Sequence, residues 1–104
     1  MTAVNERPIG VAVLGMGNVG AEVVRILTEN AADLRERVGA PVELRGVAVR
    51  DAGKARGVDP ALLTTDALEL VNRDDVDLVV ELIGGIEPPR ALIRAALDAG
   101  KSVV

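Results

Sequence analysis

Apolar and polar residues change their spacing several times along this chain, and each change marks an element. Residues 8–14 are almost wholly aliphatic and lie between Pro8 and Gly15, which predicts a short buried strand. From residue 18 to 37 the period lengthens. Val19, Val23, Ile26, Leu27, Leu34 and Val38 recur at helical spacing, with Glu22, Arg25, Glu29, Asp33 and Glu36 mostly between them. This is one apolar face on a long helix, stopped by Gly39 and Pro41. Residues 42–50 return to strand character, with Val42, Leu44, Val47 and Val49 apolar. Gly46 interrupts the alternation and predicts a bulge or a close packing contact.

Asp51 to Gly57 reads as a polar loop. Residues 58–72 read as short helical turns enclosing one helix, Ala67 to Val71, with Thr65 or Asp66 as its N-cap. Residues 76–83 form a third aliphatic run ended by Gly84 and Gly85. Pro88 and Pro89 suit a helix's first turn, where a missing N–H does no harm. That helix continues from Ala91 to Ala99 and stops at Gly100, and Ser102 to Val104 begins a fourth strand. The predicted order is β-α-β-α-β-α-β, which implies a parallel sheet with right-handed crossovers. No internal repeat, low-complexity tract or domain boundary interrupts residues 1–104, read as one domain. The last strand is expected to be an exposed aliphatic edge, open to pairing with another chain. A chain that stops within such a strand is expected to be part of a longer protein.

Composition sharpens this picture. There is no Phe, Tyr or Trp, so Val, Leu, Ile and Ala must build the core, as suits strands buried on both faces. The same absence removes any base-stacking platform, and a net charge of −4 argues against a nucleic-acid partner. With no Cys and no His, disulfides, the usual zinc sites and a histidine-centred triad are excluded within this sequence. No apolar run approaches a membrane span, and the first ten residues lack the basic flank and apolar core of a signal peptide. A cytoplasmic location without membrane partners is the expectation.

Candidate chemistry lies in Gly15-Met16-Gly17-Asn18-Val19-Gly20. A G-x-G-x-x-G pattern alone is weak, but this one directly follows a buried strand and opens a helix. There Gly15 permits a tight turn, Gly17 lets backbone approach a pyrophosphate, and Gly20 lets helix and strand pack closely. The helix's first N–H groups and its positive end face such an anion. A Walker-type phosphate loop is excluded, because no Gly-Lys-Ser/Thr follows. A plain connecting turn is the bland alternative. The expected fold is therefore α/β, a Rossmann-like parallel sheet in three αβα layers, truncated after the start of the fourth strand.

Near the end of the second strand stands Arg50, followed by Asp51, with Lys54 and Arg56 close by. A guanidinium grips a ribose 2′-phosphate with paired hydrogen bonds, whereas a carboxylate repels one. NADP(H) is the expected cofactor, and Asp51 keeps NAD(H) open. Gly84 and Gly85 follow the third strand, where backbone without side chains would let a ribose or nicotinamide lie close. Glu81 reads as a supporting acid, not a catalytic one.

Ile9 to Gly20, Val47 to Asp51, Leu63 to Asp66, Asp77 to Gly85 and Gly100 to Val104 together resemble homoserine dehydrogenase. The glycine fingerprint is shared by many dehydrogenases. The run Val80-Glu-Leu-Ile-Gly-Gly85, followed by Glu87-Pro88 and an Ala-rich helix, is far more specific. The resemblance implies reversible reduction of aspartate β-semialdehyde to homoserine with NAD(P)H, on the route to threonine and methionine. It implies that Gly15, Gly17, Asn18, Val19 and Gly20 contact the cofactor phosphates. Arg50 would meet the adenosine side, and Gly84 and Gly85 would border the nicotinamide half. The family's substrate-handling lysines and acids, and its dimerisation region, come after the stretch matched here. This chain alone is therefore expected to bind cofactor and catalyse nothing, with no catalytic residue and no metal ligand of its own. Substrate binding and homo-oligomer formation belong to the full-length enzyme. The alternatives are another small NAD(P)-dependent dehydrogenase, or a regulatory module that senses a nucleotide without reacting it.

Overall fold

The computed structural model describes residues 7–15, 17–51, 53, 58–83 and 89–104. Its strands are β1 (Ile9–Leu14), β2 (Val42–Ala48), β3 (Leu63–Thr64), β4 (Leu78–Glu81) and β5 (Ser102–Val103). Its helices are α1 (Asn18–Glu29), α2 (Ala31–Val38), α3 (Ala67–Val71) and α4 (Pro89–Asp98), with a 3₁₀ turn at Pro60–Leu62. All four strand pairings are parallel, and the sheet order is β3-β2-β1-β4-β5. The chain lays down β1, β2 and β3 outward in one direction, then crosses back to place β4 on the other flank of β1. That reversal creates a crevice at the carboxyl ends of β1 and β4, the position where open α/β sheets bind ligands.

The sheet has five strands, not the four expected from the sequence. The extra one is β3, whose two residues pair with Val47 and Ala48 of β2. It lies inside the stretch predicted to hold only helical turns. The strand is too short for alternation to reveal it, and only the sheet edge already offered by β2 makes it a strand. The third predicted run survives only as Leu78–Glu81, and the second strand ends at Ala48, two residues before Arg50.

The long helix expected over residues 18–37 is two helices. Asn30 ends α1 and begins α2, with φ −108° and ψ 26°, outside helical geometry. α1 packs its face onto the sheet, whereas α2 has no buried residue. The downstream stops fall as predicted: Gly39 caps α2 in the left-handed region at φ 88°. α3 is capped by Asp66, whose carboxylate accepts from the Glu69 N–H at 3.0 Å.

Alternation along β1 divides the core between the two faces of the sheet. Val11 and Val13 face one way, packing with Val24 of α1 and Val47. Ala12 and Leu14 face the other, packing with Leu70 and Val71 of α3, Val79, and Leu92 and Ala96 of α4. Two apolar clusters on opposite faces are what a three-layer αβα fold requires. Among the described residues no polar or charged residue is buried. The buried set is aliphatic as expected, but isoleucine is absent from it. At Gly46 the sequence expectation of a bulge or a close contact is met on both counts. Val11 pairs with Leu44 and Ala12 with Gly46, so Arg45 is an extra residue on β2. A Cβ on Gly46 would stand 2.6 Å from Leu70 Cδ1, so any larger residue would force the Leu70 side chain of α3 to shift.

Candidate functional site

The crevice is built from two chain exits, one after β1 and one after β4. Gly15 leaves β1 at φ +99°, in the region that disfavours any side chain. Its N–H donates to Ala48 O at 2.8 Å, which ties the turn to the end of β2. On its other side the turn rests on the β4 exit. A Cβ on Gly15 would lie 3.1 Å from both Ile83 N and Leu82 C. Leu82 N donates to Leu14 O at 2.8 Å, binding the two exits to each other.

Gly20 sits in the first turn of α1, and a Cβ there would lie 2.5 Å from Gly15 O. A glycine is therefore needed for the helix to start where it does. Gly17 is different. It is the N-cap of α1, at φ −94° and ψ −157°, a backbone open to any residue, and a Cβ there would meet nothing within 4 Å. Among the described residues nothing fills the space beside Gly17, whereas a Cβ at Gly15 or Gly20 would run into protein.

The N-cap of α1 is Gly17, which has no side chain to bond the first N–H groups, and no acid occupies the first turn. The first intrahelical bond runs from Ala21 N to Gly17 O, so the N–H groups of Asn18, Val19 and Gly20 precede the regular ladder. Val19 is 63% exposed although it is apolar, and it lies at this open end. The backbone of Asn18 opens the helix, and its side chain lies outside what the structure describes.

Arg50 is exposed, two residues beyond β2, at the same carboxyl edge of the sheet. Val49 N donates to Thr64 O at 2.8 Å and anchors the backbone immediately before it. The Asp51 carboxylate turns onto its own loop, accepting from Gly53 N at 3.0 Å. Lys54, Arg56, Met16, Gly84 and Gly85 lie outside the described residues.

Glu81 closes β4, and its Oε1 accepts from Ile83 N at 2.6 Å. Sequence reasoning left this acid with only a generic supporting role, because its partner is a backbone N–H two residues along, which no motif reveals. Lys101 precedes β5 and donates from Nζ to Arg73 O at 2.7 Å, tying the turn before β5 to the one before β4. Among titrating groups, Arg73 beside Asp75 holds that carboxyl below its ordinary range by hydrogen bonding. This pair precedes β4, at the opposite end of the sheet from the crevice. Among the described residues no group of acids could hold a metal ion, and no helix is long and apolar enough to cross a membrane.

The arrangement is a helix N-terminus at the switch point of a parallel sheet, with glycines shaping the turn and a cation at the end of β2. The residues present fit a dinucleotide: unladdered N–H groups for phosphates, and open space at Gly17 for their approach.

Comparison with known proteins agrees with this geometry. Residues 15–104 match the family model described as homoserine dehydrogenase, NAD binding domain. The homoserine dehydrogenase of Mycobacterium tuberculosis is 59% identical over 100 residues, covering 96% of this chain. Its counterpart from Thiobacillus denitrificans has a crystal structure that superposes with a TM-score of 0.84 at 40% identity, over 92% of this chain and 22% of that one. The Staphylococcus aureus enzyme superposes with a TM-score of 0.85 at 35% identity, over 95% of this chain and 26% of that one. The chain spans about a quarter of the length of the relatives it matches, 23% for the M. tuberculosis protein. With its family model matched from Gly15 to the last residue, this chain belongs to the homoserine dehydrogenase family and corresponds to its NAD-binding domain.

Proposed function

We propose that this chain binds NADPH in preference to NADH, and that it does so as the cofactor domain of a longer enzyme interconverting aspartate β-semialdehyde and homoserine. In this reading the N–H groups of Asn18, Val19 and Gly20, with the turn at Gly15 and Gly17, take the pyrophosphate. Arg50 meets the ribose 2′-phosphate, and Gly84 and Gly85 border the nicotinamide. Bound reduced nicotinamide supplies a hydride to the aldehyde carbon. The chain's own residues bind the cofactor and orient it. The groups that hold the substrate and move its proton belong to the remainder of the longer protein, so the isolated chain binds without turning over.

The observation that carries this reading is the contrast among the glycines at the switch point. A Cβ at Gly15 or Gly20 would run into protein, while among the described residues nothing stands beside Gly17, the glycine N-cap of α1. The preference for NADPH is supported by the end of β2. Asp51, the acid that would take ribose hydroxyls, already accepts from Gly53 N, while the adjacent Arg50 is exposed to solvent.

The test is a titration of NADPH and of NADH followed by the fluorescence of the nicotinamide. The chain contributes almost no background, because it has no Trp or Tyr. NADPH is expected to bind more tightly, and Arg50→Asp to weaken NADPH by about tenfold or more, the scale of losing charge-assisted hydrogen bonds. Equal affinity for both cofactors, untouched by Arg50→Asp, would remove Arg50 from the reading. A folded sample that binds neither would overturn the cofactor assignment of the isolated chain.

A further inference from the structure

Glu81 stands where three parts of the molecule meet. It is paired in register with Leu14, the last residue of β1. Its N–H donates to Val104 O at 2.9 Å, fastening the residue after β5 to β4. Its carboxylate bends forward to accept from Ile83 N at 2.6 Å, a short contact of the charge-assisted kind. Two successive amides of the β4 exit are thus held from different directions. Leu82 N is bound by β1, through Leu14 O, and Ile83 N is bound by Glu81.

The peptide between those two amides lies beside the glycine turn. The Gly15 Cβ position lies 3.1 Å from Leu82 C and from Ile83 N, and the Gly20 Cβ position lies 3.8 Å from Leu82 Cδ1. The Leu82–Ile83 peptide is therefore the neighbour of the turn on the β4 side of the crevice. An acid beside an anion-binding turn is otherwise unfavourable, since like charges repel. Spending its oxygen on an N–H of the wall gives this carboxylate a reason to be there.

We propose that Glu81 is a positioning residue for the nicotinamide side of the dinucleotide site. It touches no cofactor atom. It locks the Leu82–Ile83 peptide as the wall on the β4 side of the crevice, the side away from β2 and Arg50. This rests on the cofactor reading above, and it assigns the two halves of the cofactor to different supports.

The experiment compares NADPH with adenosine 2′,5′-bisphosphate, which carries the adenosine half only. Both affinities are measured by calorimetry on the wild-type chain, Glu81→Ala and Glu81→Gln, each checked for folding by circular dichroism. Glu81→Ala is expected to weaken NADPH by about tenfold, the scale of one hydrogen bond to a charged group. The bisphosphate should change by less than about twofold, because its support is at α1 and Arg50. Glu81→Gln keeps an acceptor oxygen without charge, so its loss for NADPH should be about threefold, with the bisphosphate again unaffected. Equal weakening of both ligands would mean that Glu81 supports the domain generally, and unchanged NADPH binding would mean that it supports nothing at the site. Either result overturns the proposal. If Glu81→Ala does not fold, Glu81→Gln decides on the same two readings. A wild-type chain that binds neither ligand defeats the cofactor reading itself, and is told apart by needing no variant.

Discussion

Three glycines shape the turn after β1, and each answers a different physical demand. Gly15 meets a backbone demand, φ +99°, with protein 3.1 Å from where a Cβ would stand. Gly20 meets a packing demand, because its missing Cβ makes room for Gly15 O. At Gly17 neither the backbone conformation nor any described neighbour asks for glycine, which is what the proposed approach of a pyrophosphate would need. This separates the outcomes of two otherwise identical substitutions. Gly20→Ala should destabilise the fold by about 1–3 kcal/mol, the range for forcing atoms into a packed site. Gly17→Ala should cost only about 0.5 kcal/mol, the difference between Gly and Ala at an N-cap. The same Gly17→Ala change should weaken NADPH binding about tenfold or more, because its methyl group stands in the pyrophosphate's approach. Thermal unfolding and cofactor titration on both variants check this. Gly17→Ala with undiminished affinity would leave Gly17 as a mere connector. The glycine spacing was readable in the sequence because backbone demands write themselves into residue identity. Glu81 was not readable in that way, since a carboxylate accepting from a nearby N–H leaves no spacing rule behind.

The elements were legible in proportion to how many residues their pattern spans. β1, with five of its six residues buried, and α4, opened by proline and closed before Gly100, stand close to where periodicity put them. β3 is two residues long and owes its existence to the flank of β2, a tertiary cause that leaves no local trace. The break at Asn30 was hidden because apolar positions continue across it at compatible spacing. Leu34 and Val38 keep the helical period, yet no residue of α2 is buried. The turn entering β4 is held by Arg73 and Asp75, 2.6 Å apart, with side chains 38% and 41% exposed. Hydrogen bonding to Arg73 lowers the Asp75 carboxyl in the folded state. Its contribution to stability is therefore complete above the ordinary aspartate range, and is lost as pH falls through the lowered folded value. Solvent screening at this exposure keeps the contribution below about 1 kcal/mol. Denaturant unfolding of wild type and Asp75→Asn across pH should show a small gap at neutral pH that closes below about pH 4. A gap that persists or widens in acid would mean the pair acts through something other than charge.

At the scale of the molecule, both edges of the sheet are two-residue strands, β3 on one flank and β5 on the other. β3 is a short edge of the kind that limits pairing with another chain. Val104 nevertheless remains 77% exposed beside β5. β1 alone has a strand of four or more residues on each side, β2 and β4. The glycine turn is the direct continuation of that strand, and its first amide is bonded to Ala48 O. In the language of amide exchange, the candidate site hangs from the part of the chain that opens last. Thr64 and Val103, at the rims, should trade deuterium through local fraying, while the amides from Val11 to Gly15 should wait for global unfolding. Saturating NADPH should then slow these central amides, far from any ligand atom, by the factor with which it stabilises the whole fold. If the central amides exchange as fast as the rims, the turn is carried by a strand that breathes, and its geometry must be set by the ligand on arrival.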